Sequence, residues 1–408
     1  MNSDLQLLQA YPFEKLNALK AAATIPPADL KHIPFSIGEP KHQTPQFVLD
    51  VLSDNLDKIA SYPSTKGLIE LRESIANWLC NRFSINNSLI DPEKNVLPVN
   101  GTREALFAFA QAVIDRNKSH SQQKPIVISP NPFYQIYEGA AYLSGAEIFF
   151  MDCTQNNHYL PDFSSVPVSI WEKCQLIYLC SPGNPSGAVV SNEQLKELIA
   201  LADKYDFVIA SDECYSEIYF DEATPPIGLL EVCADIGRDD FSRCVVFHSL
   251  SKRSNLPGLR SGFVAGDADI LSSFLFYRTY HGCAMSVPIQ IASSHAWNDE
   301  KHVVENRKLY KEKFSLALDI LKPVTSLKQP DASFYLWLPT TICDKEFSQK
   351  LFSQENVTVL PGTFIARNPT NDNSTNPGEN HVRIALVANK EECIEGVKRI
   401  RRFIESLN

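Results

Sequence analysis

A lysine that follows two serines, with an arginine downstream, is the group of residues that most suggests chemistry. Ser249-Leu-Ser-Lys252 follows an apolar run of buried-strand type, and Arg260 comes shortly after it. In open α/β sheets, ligands bind beyond the carboxyl ends of the strands, which is where this lysine falls. Burial there lowers the pKa of the amine and makes it a nucleophile. Ser249, Ser251 and Arg260 could hold a phosphate beside it, although an exposed Ser/Lys/Arg loop has the same composition.

Two further segments place polar groups at the ends of strand-like runs. Asn184 lies in residues 180–187 (CSPGNPSG), directly after such a run, and Asp212 and Tyr215 close the next one. A carboxylate and an amide at neighbouring strand ends would face the same ligand site. The simpler explanations are a Pro/Gly turn for the first segment and a helix N-cap for Asp212.

Two more segments carry candidate anion-binding groups. Gly101-Thr102-Arg103 stands between a strand-like run and a helical pattern, and backbone N–H groups at a helix start bind phosphate. Arg383 lies within an apolar strand-like run near the end of the chain. N-capping would equally explain Thr102, and a solvent-facing side chain would explain Arg383.

These residues need a framework of strands and helices, and the middle of the chain predicts one. Continuous apolar runs alternate with helical patterns, which indicates a mostly parallel sheet covered by helices on both faces. The predicted strands span residues 125–130, 175–180, 207–212, 244–250 and 261–266, and the clearest helical patterns span 67–83, 102–115 and 192–205.

The pattern changes after about residue 285 and predicts a smaller α+β domain. A single long helical stretch is expected first, then three strands, a polar loop and a C-terminal helix. The corresponding residues are 287–321 for the helix, 333–338, 357–360 and 381–387 for the strands, 368–380 for the loop and 390–407 for the last helix.

The length of 408 residues exceeds what one hydrophobic core accommodates, so two domains are expected. We predict a large domain over residues 46–290. A discontinuous small domain combines residues 1–45 with 291–408, because the N-terminal segment is expected to pack against the C-terminal third.

Composition excludes several classes of function. The net charge of −10 gives no electrostatic footprint for nucleic acid or an anionic membrane. The N-terminus lacks the basic and apolar regions of a signal peptide, and no apolar stretch is long enough for a membrane helix. None of the ten cysteines forms a Cys-x-x-Cys pair and the nine histidines show no metal-binding spacing, so no metal is predicted. Together these features favour a reducing cytoplasm. Dinucleotide, P-loop and serine-hydrolase fingerprints are also absent.

Taken in order, the segments resemble the class I/II aminotransferases, which are fold-type-I enzymes dependent on pyridoxal phosphate (PLP). The matching stretches run from Ser36 to Arg383 and read GTRE, PFYQIY, SPGNPSG, SDECY, SLSK…GLR and VRIA. The resemblance implies an α/β fold with a seven-stranded, mostly parallel sheet in the large domain and a smaller α+β domain. It also implies PLP as the cofactor.

The resemblance assigns a role to each motif residue. Lys252 carries the cofactor as a Schiff base and moves the substrate proton, Asp212 keeps the pyridine nitrogen protonated, and Tyr215 donates to the ring oxygen; these three are the predicted catalytic residues. Tyr134 stacks on the ring, and Arg383 binds the substrate α-carboxylate. The implied cofactor-binding residues are Gly101, Thr102, Arg103, Tyr134, Asn184, Asp212, Tyr215, Ser249, Lys252, Arg260 and Tyr62, and the implied substrate-binding residues are Gly38, Asn184 and Arg383.

Two structural expectations come with these roles. Tyr62 is expected to reach the phosphate in the partner subunit, which implies a homodimer with shared active sites. The Asn184–Pro185 peptide bond is expected to be cis, since X-Pro bonds adopt this form at low cost.

The C-terminal third resembles the succinyldiaminopimelate aminotransferases of bacterial lysine biosynthesis. Residues 331–338 (DASFYLWL), 356–362 (NVTVLPG) and 381–388 (HVRIALVA) carry this likeness, together with 11–16 (YPFEKL). It implies amino-group exchange between glutamate and N-succinyl-2-amino-6-oxopimelate, giving 2-oxoglutarate and N-succinyl-L,L-2,6-diaminopimelate. Both amino acids carry a second carboxylate, and the candidate cations for it are Arg103, Arg253 and Arg367.

Other activities share the same motifs. An aspartate, alanine or aromatic aminotransferase would use the same cofactor site with a different distal pocket, and a β-lyase of sulfur amino acids would share fold and cofactor. A PLP-sensing transcription regulator is not expected, because the matched region begins near residue 36 and the chain is acidic.

Overall fold

A computed structural model describes residues 1–118, 123–369 and 375–407 of the chain. Part of the polar loop predicted over residues 368–380 therefore lies outside the described residues. The helices are α1 (Pro12–Ala21), α2 (Gln46–Asp54), α3 (Ile69–Arg82), α4 (Thr102–Val113), α5 (Ile136–Leu143), α6 (Val168–Trp171), α7 (Asn192–Tyr205), α8 (Leu229–Asp235), α9 (Leu250–Arg253), α10 (Ala268–His281), α11 (Val287–Trp297), α12 (Lys301–Leu321), α13 (Asp344–Glu355) and α14 (Lys390–Glu405). The strands are β1 (Ile33–Pro34), β2 (Val96–Val99), β3 (Ile126–Asn131), β4 (Glu147–Asp152), β5 (Cys174–Cys180), β6 (Val208–Asp212), β7 (Cys244–Ser249), β8 (Gly262–Gly266), β9 (Tyr335–Pro339), β10 (Val357–Thr358), β11 (Leu360–Pro361) and β12 (His381–Ala385).

Seven of these strands form one sheet, in the order β2-β8-β7-β6-β5-β3-β4. The pairs from β4 through β3, β5 and β6 to β7 are parallel, whereas β8 is antiparallel to both β7 and β2. Its central strands are buried along almost their whole length, which agrees with their continuous apolar sequences. One apolar cluster covers each face of the sheet. Ile177 and Val246 belong to the first cluster, and Val245 and Tyr178 belong to the second. The predicted mostly parallel α/β sheet is confirmed.

The C-terminal third forms a second apolar core. Strands β11, β12 and β9 make a three-stranded antiparallel sheet. Apolar side chains of helices α12, α13 and α14 join those of the sheet in one buried cluster. Strand β1 pairs in parallel with β10, Ile33 opposite Val357, so the N-terminal segment joins this core as expected. The exact domain boundaries at residues 45–46 and 290–291 stay a prediction.

Three details of the predicted elements were wrong. The expected helix over residues 287–321 is two helices, because Asp299 interrupts it and its carboxylate accepts the backbone N–H of His302 at 3.0 Å. The expected strand over 357–360 is divided between two sheets, β10 pairing with β1 and β11 with β12. Strand β4 was not predicted, although residues 148–151 (IFFM) are apolar; it lies at the edge of the sheet and is partly exposed. No helix among the described residues is long and apolar enough to cross a membrane.

Candidate active site

A cavity of about 460 Å³ lies at the carboxyl ends of the parallel strands β5, β6 and β7. The start of α4 and residues of the C-terminal core also border it. Segments from distant parts of the chain therefore meet at one place, as expected for a ligand site in an open α/β sheet. The predicted site residues that line it are Gly38, Thr102, Arg103, Tyr134, Asn184, Asp212, Tyr215, Ser249, Lys252, Arg260 and Arg383.

Lys252 projects into this cavity from α9, the single helical turn that follows β7. Its Nζ donates a hydrogen bond of 2.6 Å to the carbonyl oxygen of Gly38. Burial, assisted by the nearby guanidinium groups of Arg383 and Arg260, lowers the pKa of Lys252 to about 8. The amine is therefore available in its neutral, nucleophilic form much closer to neutral pH than that of an exposed lysine.

An anion-binding cup lies beside the lysine. Gly101 caps the start of α4 with φ +82°, and a Cβ at this position would lie 2.4 Å from Nη2 of Arg260. Only glycine lets the backbone and the guanidinium approach so closely. Ser249 lies at the end of β7, where its Oγ accepts the N–H of Ser251 at 3.1 Å. A guanidinium, hydroxyl groups and the first N–H groups of a helix are the donors that a phosphate binds.

A buried carboxylate faces the cavity from the end of β6. Oδ2 of Asp212 accepts a 2.7 Å hydrogen bond from the hydroxyl of Tyr137, and Oδ1 accepts the N–H of Cys214 at 3.3 Å. Burial raises the pKa of Asp212, while these hydrogen bonds act in the opposite direction. A cationic N–H placed against this carboxylate would complete its pairing and favour its charged form.

Two tyrosine hydroxyls lie close together on the side of the cavity that faces the second apolar core. The Oη atoms of Tyr215 and Tyr335 lie 3.2 Å apart. Burial, together with Tyr335, raises the pKa of Tyr215 well above its usual value, so it remains a neutral O–H donor. Gly38 packs against Tyr335 so closely that a Cβ would lie 1.9 Å from the phenolic oxygen. Position 38 therefore has no room for a side chain, and its assignment to substrate binding stays a prediction.

Arg383 lies on β12 with its guanidinium buried. Its Nη1 donates to Oδ1 of Asn184 at 2.9 Å, and its Nη2 donates to the carbonyl of Ser36 at 2.8 Å. The guanidinium also stacks over the ring of Tyr335, 4.4 Å from its centroid. Its buried Nε has no hydrogen-bond partner in the described part of the chain. The guanidinium of Arg383 therefore has N–H groups left that could donate to a carboxylate. The Asn184–Pro185 peptide bond is cis, as predicted.

The three arginines proposed for a distal carboxylate occupy different surroundings. Arg103 lines the cavity, and its guanidinium lies 5.4 Å from the ring centroid of Tyr11. Arg253 is fully buried against two tryptophans and paired with Glu300, so its proposed role is wrong. Arg367 does not line the cavity. Its Nε and Nη2 donate to the two carboxylate oxygens of Glu138 at 2.7 and 2.6 Å, so its proposed role is also wrong.

Tyr62 does not join the other predicted residues. Its side chain is fully exposed and lies outside the residues that line the cavity. Its assignment to the phosphate of a partner subunit stays a prediction.

Sequence reasoning missed several residues that line the cavity. Tyr137 and Tyr335 lie in segments that were already singled out, PFYQIY and SFYLWL, but alternation along the chain does not reveal which aromatic turns inward. The N-terminal segment adds Tyr11 and Phe13, and β6 is followed by Cys214, whose Sγ lies 3.1 Å from Oγ1 of Thr102.

A buried lysine, a buried carboxylate and an anion cup at one edge of the seven-stranded sheet, with Arg383 facing them from β12, are the groups that a PLP enzyme of fold type I requires. Comparison with known proteins agrees. A family model described as aminotransferase class I and II matches residues 31–400, and the chain belongs to this family. The family depends on PLP, and the residues of the cavity fit that cofactor.

Individual relatives cover nearly the whole chain. An aminotransferase from Neisseria meningitidis is 47% identical, with a TM-score of 0.92, over 98% of this chain and 99% of that one. A protein named LL-diaminopimelate aminotransferase from Syntrophobacter fumaroxidans is 30% identical over 98% of this chain and 97% of its own length. A structure titled probable N-succinyldiaminopimelate aminotransferase from Thermus thermophilus is 25% identical, with a TM-score of 0.81, over 96% of this chain and 100% of that one.

Proposed function

We propose that the protein exchanges an amino group between glutamate and N-succinyl-2-amino-6-oxopimelate, yielding 2-oxoglutarate and N-succinyl-L,L-2,6-diaminopimelate. The observation that carries this proposal is that the cavity lining contains two arginines, Arg383 and Arg103, besides Lys252 and the Arg260 of the anion cup. Glutamate has one carboxylate beyond its α-carboxylate and the succinylated substrate has two, so each calls for a second cation in addition to the one that binds the α-carboxylate. The Thermus relative, whose title reads probable N-succinyldiaminopimelate aminotransferase, supports the same substrate.

Free L,L-diaminopimelate is a second candidate substrate. Two relatives that are each 30% identical to this chain are named LL-diaminopimelate aminotransferases. The two substrates differ at the distal end, where one has a succinyl amide and the other a free ammonium group. A cationic Arg103 there disfavours an ammonium group, and this favours the succinylated substrate.

Each residue of the cavity has its own role in this proposal. PLP, when bound, supplies the electron sink that makes the Cα proton of an amino acid removable. Arg383 would bind the α-carboxylate and orient the Cα–H bond toward Lys252, whose neutral amine would accept that proton and later give it back. With the cofactor in place, Asp212 would balance the positive charge of its ring nitrogen, and Tyr215 and Asn184 would donate hydrogen bonds to its ring oxygen.

A cytoplasmic homodimer is part of the proposal. Tyr62 projects from the surface together with the exposed apolar side chains of Leu56 and Ile59 on the same short segment. Phe276 and Tyr280 of α10 expose two further aromatic rings, whose centroids lie 5.2 Å apart. Exposed apolar groups of this kind mark interaction surfaces. We infer that a second copy covers them and receives Tyr62 at its own phosphate cup.

One experiment separates these functions. The protein is loaded with PLP, and conversion of the cofactor to its amine form is followed by absorbance after adding glutamate, N-succinyl-L,L-diaminopimelate or L,L-diaminopimelate. Conversion by glutamate and the succinylated compound supports the proposal. Conversion by free diaminopimelate instead of the succinylated form favours the second candidate.

Two other outcomes would reject both substrates. A response to glutamate alone would leave an aspartate-, alanine- or aromatic-type aminotransferase, to be distinguished with those amino acids. Release of pyruvate from a sulfur amino acid without any oxo-acid acceptor would identify a β-lyase.

A further inference from the structure

A group of three possible metal ligands lies outside the cavity, between the first turn of α4 and the end of α10. Glu104 comes from α4, His281 is the last residue of α10, and Cys283 follows it. A carboxylate oxygen, an imidazole nitrogen and the thiol sulfur of these residues all lie within 4.8 Å of one another. Gly282, with φ +77°, ends the helix and turns the chain so that Cys283 faces back toward α4.

Glu104 has one oxygen in use and one without a partner. Arg278 pairs with Oε1 and, through its second terminal nitrogen, donates to the carbonyl of Cys283 at 2.9 Å. The other oxygen, Oε2, is buried and accepts no well-aligned hydrogen bond from the described residues; burial, together with this carboxylate, raises the pKa of the adjacent Cys283 thiol to about 11, so a cation would have to displace the thiol proton. A buried carboxylate oxygen without a donor is unfavourable, and a cation would satisfy it. This arrangement matches that of ligands held in place by an outer hydrogen bond.

The chemistry of the set selects the metal. Thiolate, imidazole and carboxylate are the three ligand types of Zn²⁺, which accepts them in tetrahedral geometry with water in a remaining position. A hard cation such as Mg²⁺ would not use the sulfur or nitrogen. In the single chain His281 is exposed, while the other two residues are half-buried.

We propose that Glu104, His281 and Cys283 bind one Zn²⁺ ion per chain and so fasten the first turn of α4 to the end of α10. Glu104 follows Thr102 and Arg103 directly, so this ion would hold the helix start that forms part of the anion cup. The proposal concerns a site separate from the amino-transfer chemistry and does not depend on the proposed substrate.

The competing explanation is that the Arg278–Glu104 ion pair alone accounts for the cluster, with His281 and Cys283 merely adjacent. Metal titration distinguishes the two. The PLP-loaded protein is freed of metal with a chelator and dialysed, and Zn²⁺ binding is then measured by elemental analysis after gel filtration. Co²⁺ is used in a parallel titration, because a tetrahedral cobalt–thiolate site absorbs in the visible region beyond the cofactor bands.

Two pairs of variants make the test specific. Cys283→Ser and His281→Gln each remove one proposed ligand and leave the Arg278–Glu104 pair in place. Cys343→Ser and His295→Gln are matched controls at an exposed cysteine and an exposed histidine elsewhere.

The expected result is one bound Zn²⁺ per chain, lost or weakened by about tenfold or more in both ligand variants and retained in both controls. The Cys283→Ser variant should also lose the cobalt–thiolate absorbance. Absence of stoichiometric binding by the parent protein would overturn the proposal, as would equal binding by ligand variants and controls. An unchanged PLP absorbance in each variant verifies that it is folded, so the test does not rely on amino-transfer activity.

Discussion

The hydroxyl of Tyr137 donates a 2.7 Å hydrogen bond to Oδ2 of Asp212, and both side chains are buried. Tyr137 lies on α5 and stacks almost parallel on Tyr178, with ring centroids 4.6 Å apart. Asp212 lies at the end of β6, so the bond joins the helix after β3 to the carboxylate that we propose for the ring nitrogen. The carboxylate is thereby held in one orientation.

Removing this hydrogen bond should impair catalysis without removing the carboxylate. We expect Tyr137→Phe to lower kcat by roughly 10- to 100-fold, since a hydrogen bond to a charged group contributes about 1.5–3 kcal/mol. Steady-state kinetics and the pH dependence of the bound cofactor's spectrum measure the effect. Tyr178→Phe is the control, because its hydroxyl donates to the carbonyl of Leu106 and not to Asp212. Equal losses in both variants would show that packing, and not the carboxylate, is affected.

The depressed pKa of Lys252 predicts how the apoprotein captures PLP. Only the neutral amine attacks the aldehyde, so the rate should rise with pH and level off above about 8. A lysine with an ordinary pKa would continue to gain rate up to about 10.4. Stopped-flow absorbance between pH 6 and 10 checks this, with a free lysine derivative as the reference. A capture rate that is still rising steeply at pH 9.5 would contradict the prediction.

Arg103 should determine affinity for acidic substrates. We expect Arg103→Ala to raise KM for glutamate by about 10-fold or more, since a charged hydrogen-bonded partner is lost. L-Alanine has no distal carboxylate, so its KM should change little; Arg103→Lys should recover part of the glutamate affinity because it restores the charge without the planar fork. Equal effects on glutamate and alanine would instead place Arg103 at the cofactor.

Gly38 tolerates no side chain, because Tyr335 occupies the position of a Cβ. Gly38→Ala should force Tyr335 or the segment bearing Gly38 to move, at a cost of about 1–3 kcal/mol typical of overpacking. A lowered Tm and weaker amino-acid binding are the expected readouts. Gly139→Ala, on helix α5 with no atom closer than 3.6 Å to the new Cβ, should lower neither, and alanine's helix preference should hold or raise Tm. Normal substrate binding by Gly38→Ala would refute the steric argument.

Mixing two defective chains tests the shared active site. Lys252→Ala removes the amine, and Tyr62→Ala removes the residue assigned to the neighbouring phosphate. A heterodimer of the two has one site with both residues intact, so activity should return on mixing and subunit exchange. Size-exclusion chromatography confirms the dimer beforehand. No recovery despite demonstrated exchange would place Tyr62 outside the partner's site.

The amino-acid sequence was sufficient to predict the fold and the chemical core of the site. Lys252, Asp212 and Asn184 each follow a continuous apolar run, and the carboxyl ends of parallel strands necessarily share one edge of a sheet. Their convergence can therefore be read from the order of segments. Gly38 and Gly101 belong to the matched motifs, but the side chains that a Cβ there would meet, Tyr335 and Arg260, are known only from the folded chain.

Only the folded arrangement of the chain reveals which of several equivalent side chains reach the cavity. Arg103, Arg253 and Arg367 are equally plausible in the sequence, yet one lines the cavity and two are neutralised by Glu300 and Glu138. These ion pairs join residues from distant segments, and no local pattern encodes which partners meet. The same holds for the pairing of Tyr137 with Asp212, because inward orientation on a short helix depends on what packs around it.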